Sequence, residues 1–166
     1  MKRFFLIFMP LLLPLMVDAQ VQFGYFSYEK TLKSMPEYKV VIDNMNDLKS
    51  KYDTETKRAE DEFNKKYEEF LDGQRDFAPT ILQKRQAELQ ELLKRNVAFK
   101  AESERLLAEA EKEAFAPLHK KISGALQKIG AEKGYAFILN TDSNACPYID
   151  PVMGEDVTDM IKEAMK

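Results

Sequence analysis

The residues best suited to chemistry near neutral pH are scarce. Histidine and cysteine occur once each, as His119 and Cys146, whereas a structural zinc site needs four ligands and a nucleophilic triad needs a histidine beside its nucleophile. His119 stands next to Lys120 and Lys121 in a helical pattern, with no evident nucleophile or metal partner, so exposed helix surface is its predicted role. The chain also lacks a phosphate-cradling glycine loop. We therefore predict a protein that is not an enzyme and uses no metal or cofactor.

Composition narrows the class of protein further. The 166 residues carry 25 basic and 28 acidic side chains, and a dedicated nucleic-acid binder usually has a marked basic excess. We therefore expect no nucleic-acid partner. Hydrophobic residues make up 45% of the chain, which is too many for a disordered protein, and the length favours a single domain.

Residues 1–19 have the pattern of a secretory signal peptide. Lys2 and Arg3 precede an uncharged apolar run, and small residues at Val17 and Ala19 place the cleavage between Ala19 and Gln20. Residues 4–17 are too few to span a membrane. Removal of the segment would change the formal charge from −3 to −4, because two bases and Asp18 are lost. The mature chain is predicted to be exported and soluble, with Cys146 lacking a partner in its own chain.

The middle of the chain, residues 37–133, predicts a long antiparallel helical hairpin, which we call the arm. Between Pro36 and Pro79 there is one glycine and no other proline, and apolar residues recur every three or four positions. The break at Asp72-Gly73 and the restart at Pro79 place the tip near residues 72–79. Ser34 with Glu37, and Thr80 with Gln83, have the spacing of capping boxes.

Each predicted arm helix carries one apolar stripe, and Pro117 predicts a kink in the second helix. The outgoing stripe comprises Tyr38, Val41, Met45, Leu48, Tyr52, Thr56, Ala59, Phe63, Tyr67 and Phe70. The returning stripe comprises Leu82, Leu89, Leu92, Phe99, Leu106, Ala110, Ala114, Leu118, Ile122, Ala125 and Ile129. An outgoing helix from about Glu37 to Leu71 would be about 50 Å long at 1.5 Å per residue.

Residues 20–36 and 134–166 are left to form a small β-rich body, and the fold class is therefore α+β. Strands are predicted around residues 21–25 and over residues 135–139, with a short edge strand at Tyr148 and Ile149 and a closing helix capped by Asp156. A unit of this size is marginal alone, so we expect several subunits to complete its core. The aromatic candidates for this oligomerisation body are Phe23, Tyr25, Phe26, Tyr135, Phe137 and Tyr148.

In the order and spacing of its sequence blocks, the chain resembles the Skp/OmpH family of periplasmic chaperones over essentially its whole mature length. The front block is Phe23-Gly24-Tyr25-Phe26-Ser27-Tyr28-Glu29-Lys30-Thr31-Leu32, followed by Met35-Pro36-Glu37-Tyr38. The back blocks are Ala116-Pro117-Leu118, residues 129–140 and Asp156-Val157-Thr158-Asp159. The resemblance implies a jellyfish-like homotrimer in the periplasm, whose three arms enclose unfolded outer-membrane proteins and prevent their aggregation without ATP.

The sequence departs from basic relatives of this family in being acidic. Local basic clusters are Arg75, Lys84, Arg85, Lys94 and Arg95. Two interpretations stay open for them: contact with acidic client segments or with the phosphates of lipopolysaccharide or a membrane surface, and an ordinary solvated helix face.

Candidate client contacts lie toward the arm tip, because adaptable apolar surface suits a partner without fixed structure. These residues are Phe70, Leu71, Phe77, Ile81 and Leu82. The alternative is that they only close the core of the hairpin. The rival for the whole protein is a structural coiled-coil spacer or adaptor of the cell envelope that binds one folded partner.

Overall fold

The computed structural model describes residues 22–165, and the predicted signal peptide and its cleavage site at Ala19 and Gln20 lie outside them. The chain runs through the strand β1 (Phe23–Phe26), the helices α1 (Tyr28–Ser34), α2 (Pro36–Gly73) and α3 (Pro79–Lys133), and the strand β2 (Ile138–Asn140). A short 3₁₀ turn (Asp142–Asn144), the strand β3 (Gly154–Asp156) and the helix α4 (Thr158–Ala164) complete it. The predicted α+β class, with a long helical hairpin on a small sheet, is confirmed.

Both arm helices begin with proline rather than with a side-chain cap. Met35 precedes Pro36, and Ala78 precedes Pro79. Both preceding residues are extended, and neither makes a side-chain capping hydrogen bond. Proline suits the first helical position because its φ is already fixed and it has no N–H to satisfy. The two predicted capping boxes are therefore wrong. The Ser34 hydroxyl instead donates to the Thr31 carbonyl at 2.7 Å, at the end of α1.

The two arm helices pack antiparallel along their apolar stripes. Aromatic pairs join them from base to tip, with ring centroids 6.0 Å apart for Tyr38 and Phe115 and 6.3 Å apart for Tyr52 and Phe99. α2 contains 38 residues, which corresponds to about 57 Å at 1.5 Å per residue. None of its residues is buried, because only one partner helix covers it. α3 continues as a helix through Pro117.

The sheet has three short strands in the order β2-β1-β3, and both neighbours run parallel to β1. The second strand begins at Ile138, later than predicted, because Gly134 ends α3 in the left-handed region (φ 68°) and the Tyr135 amide still bonds to the Gly130 carbonyl at 3.0 Å. The predicted edge strand at Tyr148 and Ile149 is wrong. Its place is taken by β3.

In the described part of the chain, one buried hydrophobic core lies where the arm meets the sheet. Leu118, Ile122, Ala125 and Ile129 of α3 pack there with Phe26, Met35, Val157 and Ile161. Ile122, Val157 and Ile161 have no exposed surface. The base of α3 thus supplies half of this buried cluster, and the core extends beyond residues 20–36 and 134–166. The sheet and the arm are consequently held together by one helix that belongs to both.

The start of α1 is held by a carboxylate from the other end of the chain. Asp142 accepts hydrogen bonds from the Ser27 hydroxyl at 2.6 Å and from the Glu29 amide at 2.8 Å. These bonds, with the Ser27 hydroxyl first, keep the pKa of Asp142 below its usual value of 3.8. A second carboxylate, Asp156, accepts from the Thr158 amide at 2.9 Å. The residue at the cap position of α4 is Val157, however, and it makes no side-chain cap.

Candidate functional site

The five predicted client contacts at the tip divide into two groups. Phe70 and Phe77 face each other across the turn, with ring centroids 6.3 Å apart and planes tilted by 48°. Leu82, in the first turn of α3, is half-buried. Gly73 lies directly under the Phe77 ring, since a Cβ built there would be 2.6 Å from Cζ. For Phe70 and Phe77 the geometry therefore favours closure of the hairpin.

Leu71 and Ile81, in contrast, are 43% and 47% exposed. They lie on opposite sides of the turn, one near the end of α2 and the other near the start of α3. Their exposure leaves apolar surface near the tip that no residue of the described chain covers. These two side chains are the better candidates for a contact with another molecule.

Further apolar residues on the arm are exposed, namely Tyr67, which the sequence placed in the outgoing stripe, and two residues outside the predicted stripes. Tyr67, Leu93 and Val97 are large hydrophobic side chains with 44%, 51% and 63% of their surface exposed. Leu93 and Val97 lie outside the predicted stripes, because those stripes contain the residues that face the partner helix. The signal that could have found them is an apolar residue between two stripe positions.

Leu93 and Val97 border a groove midway along the arm. Phe63 and Phe99 also line it, together with Thr56 and polar groups, and its volume is about 330 Å³. A smaller recess of about 120 Å³ lies near the tip, between Phe70, Phe77, Leu89 and the charged side chains around them. Both are open grooves rather than enclosed pockets, and such shallow apolar surface suits weak and exchangeable contacts.

The five basic candidates also differ in their surroundings. Lys84 and Arg85 share the carboxylate of Glu88, at 3.7 Å and 3.3 Å. Arg75, Lys94 and Arg95 are exposed. Within residues 22–165 none of these three has a recorded ion pair or hydrogen bond, so their charge is available to an external acidic group.

Several other charges on the arm are paired within their own helix. Arg105 bridges Glu102 at 2.7 Å and Glu109 at 2.9 Å. The hydrogen bond from Arg58 lowers the pKa of Glu55, and that from Arg105 lowers the pKa of Glu102. All of these side chains are solvent-exposed, and such pairs contribute little to stability. Their effect is to keep a thin, two-helix arm hydrated along its outer faces.

The six aromatic candidates of the body do not form one cluster. Phe26 is buried in the core of its own subunit, and Tyr25 is half-buried in the central strand. Phe23 and Phe137 stack, with centroids 5.4 Å apart. Tyr135 donates a hydrogen bond to Glu155, and burial together with this carboxylate raises the pKa of Tyr135 to about 12.

The remaining aromatic candidate, Tyr148, belongs to an exposed apolar surface beside the sheet. Tyr148 is 78% exposed and Val152 is 86% exposed, and Phe137 and Met153 are exposed as well. The loop that carries Tyr148 and Val152 lies between β2 and β3, the two edge strands. Apolar surface and open strand edges thus occur in the same part of the molecule.

His119 is exposed, as predicted, but it has partners. Its Nδ1 atom forms a hydrogen bond with the Tyr28 hydroxyl, and its ring stacks on Tyr28 at 5.7 Å and lies 6.0 Å from Phe115. No local sequence pattern indicates this contact, because Tyr28 and His119 are far apart along the chain. The contact ties α1 to α3 at the base of the arm.

Residues 22–165 contain neither a metal-binding cluster nor a membrane-spanning helix. No group of three or more histidine, cysteine or acidic side chains has the arrangement of a metal site there. No helix in this part of the chain has the length and apolar character needed to cross a bilayer.

Comparison with known proteins gives a consistent match over the same residues. The family model described as "Outer membrane protein (OmpH-like)" matches residues 22–165. A solved structure of an OmpH-like protein from Caulobacter crescentus CB15, provisionally assigned as an outer membrane chaperone, has a TM-score of 0.65 to this chain. The two are 15% identical, over 86% of this chain and 82% of that one, so their likeness shows a shared fold. No curated protein sequence matches significantly.

Proposed function

The chain belongs to the OmpH-like family of outer membrane proteins, and on this basis we propose that it is an ATP-independent holdase chaperone of the periplasm. It acts as a homotrimer whose arms surround unfolded outer-membrane β-barrel proteins and prevent their aggregation. Its work is binding and release rather than catalysis.

The observation that carries this proposal is the distribution of exposed apolar side chains along the arm. Leu71, Ile81, Leu93 and Val97 are spread over the distal half of a two-helix hairpin whose other surface is largely charged. An unfolded client must be held by many contacts that are individually weak, because a single deep pocket would select one sequence and release it slowly. Separate apolar positions among charges meet this need.

The charges of the arm add a second kind of weak contact. Arg75, near the tip, and Lys94 with Arg95, further down α3, are exposed and have no ion-pair partner recorded within residues 22–165. They can attract acidic segments of a client, and exposed contacts of this kind weaken as salt is raised.

The trimer is supported by the surface around the sheet. Both outer strands, β2 and β3, have one open edge in the subunit, and open edges favour pairing with another chain. Tyr148 and Val152 are 78% and 86% exposed nearby, in the same part of the molecule as exposed Phe137 and Met153, and a grouped apolar surface is typical of an interface. Contact between subunits at this surface would cover both features.

A dilution assay tests the proposal directly. A urea-unfolded outer-membrane β-barrel protein is diluted into buffer with the chain of residues 20–166, and light scattering reports aggregation. We expect suppression at about one trimer per client, with native mass measurement giving both the subunit number and the bound client. If scattering is not reduced, the chain is not a holdase, and stable binding of one folded envelope protein would instead indicate a spacer or adaptor.

Paired substitutions test which part of the tip makes contact. Replacing both Leu71 and Ile81 with Ser removes exposed apolar surface without touching the Phe70–Phe77 contact, so we expect several-fold more protein to be needed for half-maximal suppression. The matched control replaces Gln83 and Gln86, two exposed polar residues near the tip, with Ser. Equal activity of the two double variants would show that Leu71 and Ile81 do not contact the client.

A further inference from the structure

One polar side chain interrupts the apolar contact between the arm helices. Asn96 lies on α3 between the stripe residues Leu92 and Phe99, and it is half-buried. Its position is close to the middle of the arm, next to the aromatic contact between Tyr52 and Phe99.

The amide of Asn96 is bonded to the backbone of the opposite helix. Its Nδ2 atom donates to the carbonyl oxygen of Ala59 in α2 at 2.9 Å. A carbonyl oxygen has two lone pairs, so Ala59 can accept this bond in addition to the one within its own helix. The methyl side chain of Ala59 leaves room for the approach, which a larger residue would occupy.

Hydrogen bonds between the two arm helices are rare in this protein. Within residues 22–165, the recorded bonds that join α2 to α3 are the one from Asn96 to Ala59 and the one from Lys121 to Glu37. The second lies at the base of the arm, and both of its side chains are about half exposed. Distal to the base, Asn96 therefore makes the one recorded directional contact between the helices.

A directional contact matters here because the apolar stripes alone do not define one alignment. Residues of a stripe recur at the heptad spacing, so sliding one helix along the other by one heptad again brings apolar residues opposite apolar residues. In such a shifted arrangement Asn96 would lie opposite Tyr52 or Lys66 rather than Ala59. Those residues also have backbone carbonyls, but their long side chains would occupy the space that the Ala59 methyl leaves for the amide. A half-buried amide held away from any acceptor is unfavourable.

We propose that Asn96 sets the register of the arm by holding α3 to the Ala59 carbonyl. Its role is to exclude shifted alignments, which would change the length of the hairpin turn and the position of Leu71 and Ile81. A polar residue at one such position specifies alignment at some cost in stability. The role does not depend on what the arm binds.

Electron spin distance measurements test the proposal. Spin labels are placed at Lys49→Cys in α2 and Lys94→Cys in α3, two exposed positions, in a Cys146→Ser background. Labelled chains are diluted with unlabelled protein so that each assembly carries at most one labelled subunit. In the protein that retains Asn96 we expect one narrow distribution of the distance between the two labels. In Asn96→Leu we expect a second population, displaced by up to about 10 Å, which is the length of one heptad at 1.5 Å per residue.

The matched control is Asn64→Leu, an exposed asparagine of the same groove, which should keep one distribution. Asn96→Leu should also melt at the same or a higher temperature, whereas a contact that serves only stability would lower the melting temperature when removed. Asn96→Ala removes the donor without adding bulk, and it should broaden the distribution as well. A single unshifted distribution in both Asn96 variants overturns the proposal, and so does loss of helical signal in both.

Discussion

Ile122 occupies the point where the arm and the sheet share a core, and its truncation should strongly destabilise the protein. Its side chain is 0% exposed and contacts the cluster that includes Phe26, Val157 and Ile161. Ile122→Ala removes three carbon atoms, which costs about 2.4 kcal/mol at about 0.8 kcal/mol per buried CH₂ group. A residual cavity of about 40 Å³ adds about 1 kcal/mol at 24 cal/mol per Å³. The expected loss in the free energy of unfolding is therefore about 3 kcal/mol.

The assay is urea unfolding followed by far-UV circular dichroism, with Leu93→Ala as the comparison. Leu93 is an apolar residue on the same helix with 51% of its surface exposed, so the same kind of truncation should cost only about 1 kcal/mol. Both variants are measured at one protein concentration, because association with other subunits contributes to apparent stability. A loss near 1 kcal/mol for both variants would refute the reasoning, since it would mean that the base of α3 is not the main core.

Two further predictions concern the ends of helices. Asp142→Asn should lower the free energy of unfolding at pH 7, because the native hydrogen bonds from Ser27 and Glu29 keep the pKa of Asp142 below 3.8. This contribution to the free energy of unfolding is complete above the unfolded-state pKa and is lost as the pH falls through the lowered native value. The difference between the two proteins in urea titrations should therefore begin to shrink below about pH 4, and a difference as large at pH 2 as at pH 7 would contradict the reasoning. Gly134→Ala should lower stability by about 1 kcal/mol because a side chain is strained at φ 68°. Gly124→Ala, inside α3 with no atom within 4 Å of the added Cβ, should raise stability by about 0.5–1 kcal/mol, and thermal unfolding that shifts both variants in the same direction would contradict this pair of predictions.

The arm was predictable because its information is local and repeated. Apolar residues at three- and four-residue spacing, from Tyr38 to Phe70, define an amphipathic helix wherever it packs. Asp72-Gly73 and Pro79 mark its break in the same local way. What the pattern did not contain is how each helix starts, because Ser34 and Thr80 have the spacing of caps while the prolines beside them make such caps unnecessary.

The third strand could not be predicted for a different reason. Gly154-Glu155-Asp156 has no alternating apolar pattern and no β-branched residue, whereas Tyr148 and Ile149 have both aromatic and β-branched character. β3 forms because its backbone pairs with β1 and because Gly154 leaves space for the Phe23 ring, where a Cβ would be 2.8 Å away. Such a strand is determined by its neighbours and not by its own side chains.

The candidate client contacts at the tip show the same contrast between what a local pattern predicts and what the folded structure determines. All five tip residues are apolar and near the turn, and the sequence cannot tell Phe77, which packs against Phe70, from Ile81, which is exposed. Exposure depends on the rotation of one helix against the other and on the path of the turn, and both are properties of the folded hairpin.

The sequence by itself determined the family, the long antiparallel arm, the scarcity of catalytic side chains and the regions where contacts belong, because these follow from composition, order and local periodicity. Only the tertiary structure decided which tip side chains are exposed, that His119 bonds to Tyr28, that Asn96 reaches the Ala59 carbonyl and that the base of α3 supplies half of the core cluster. These contacts join residues far apart along the chain. Their existence depends on how the elements are aligned in space, and no local pattern records that alignment.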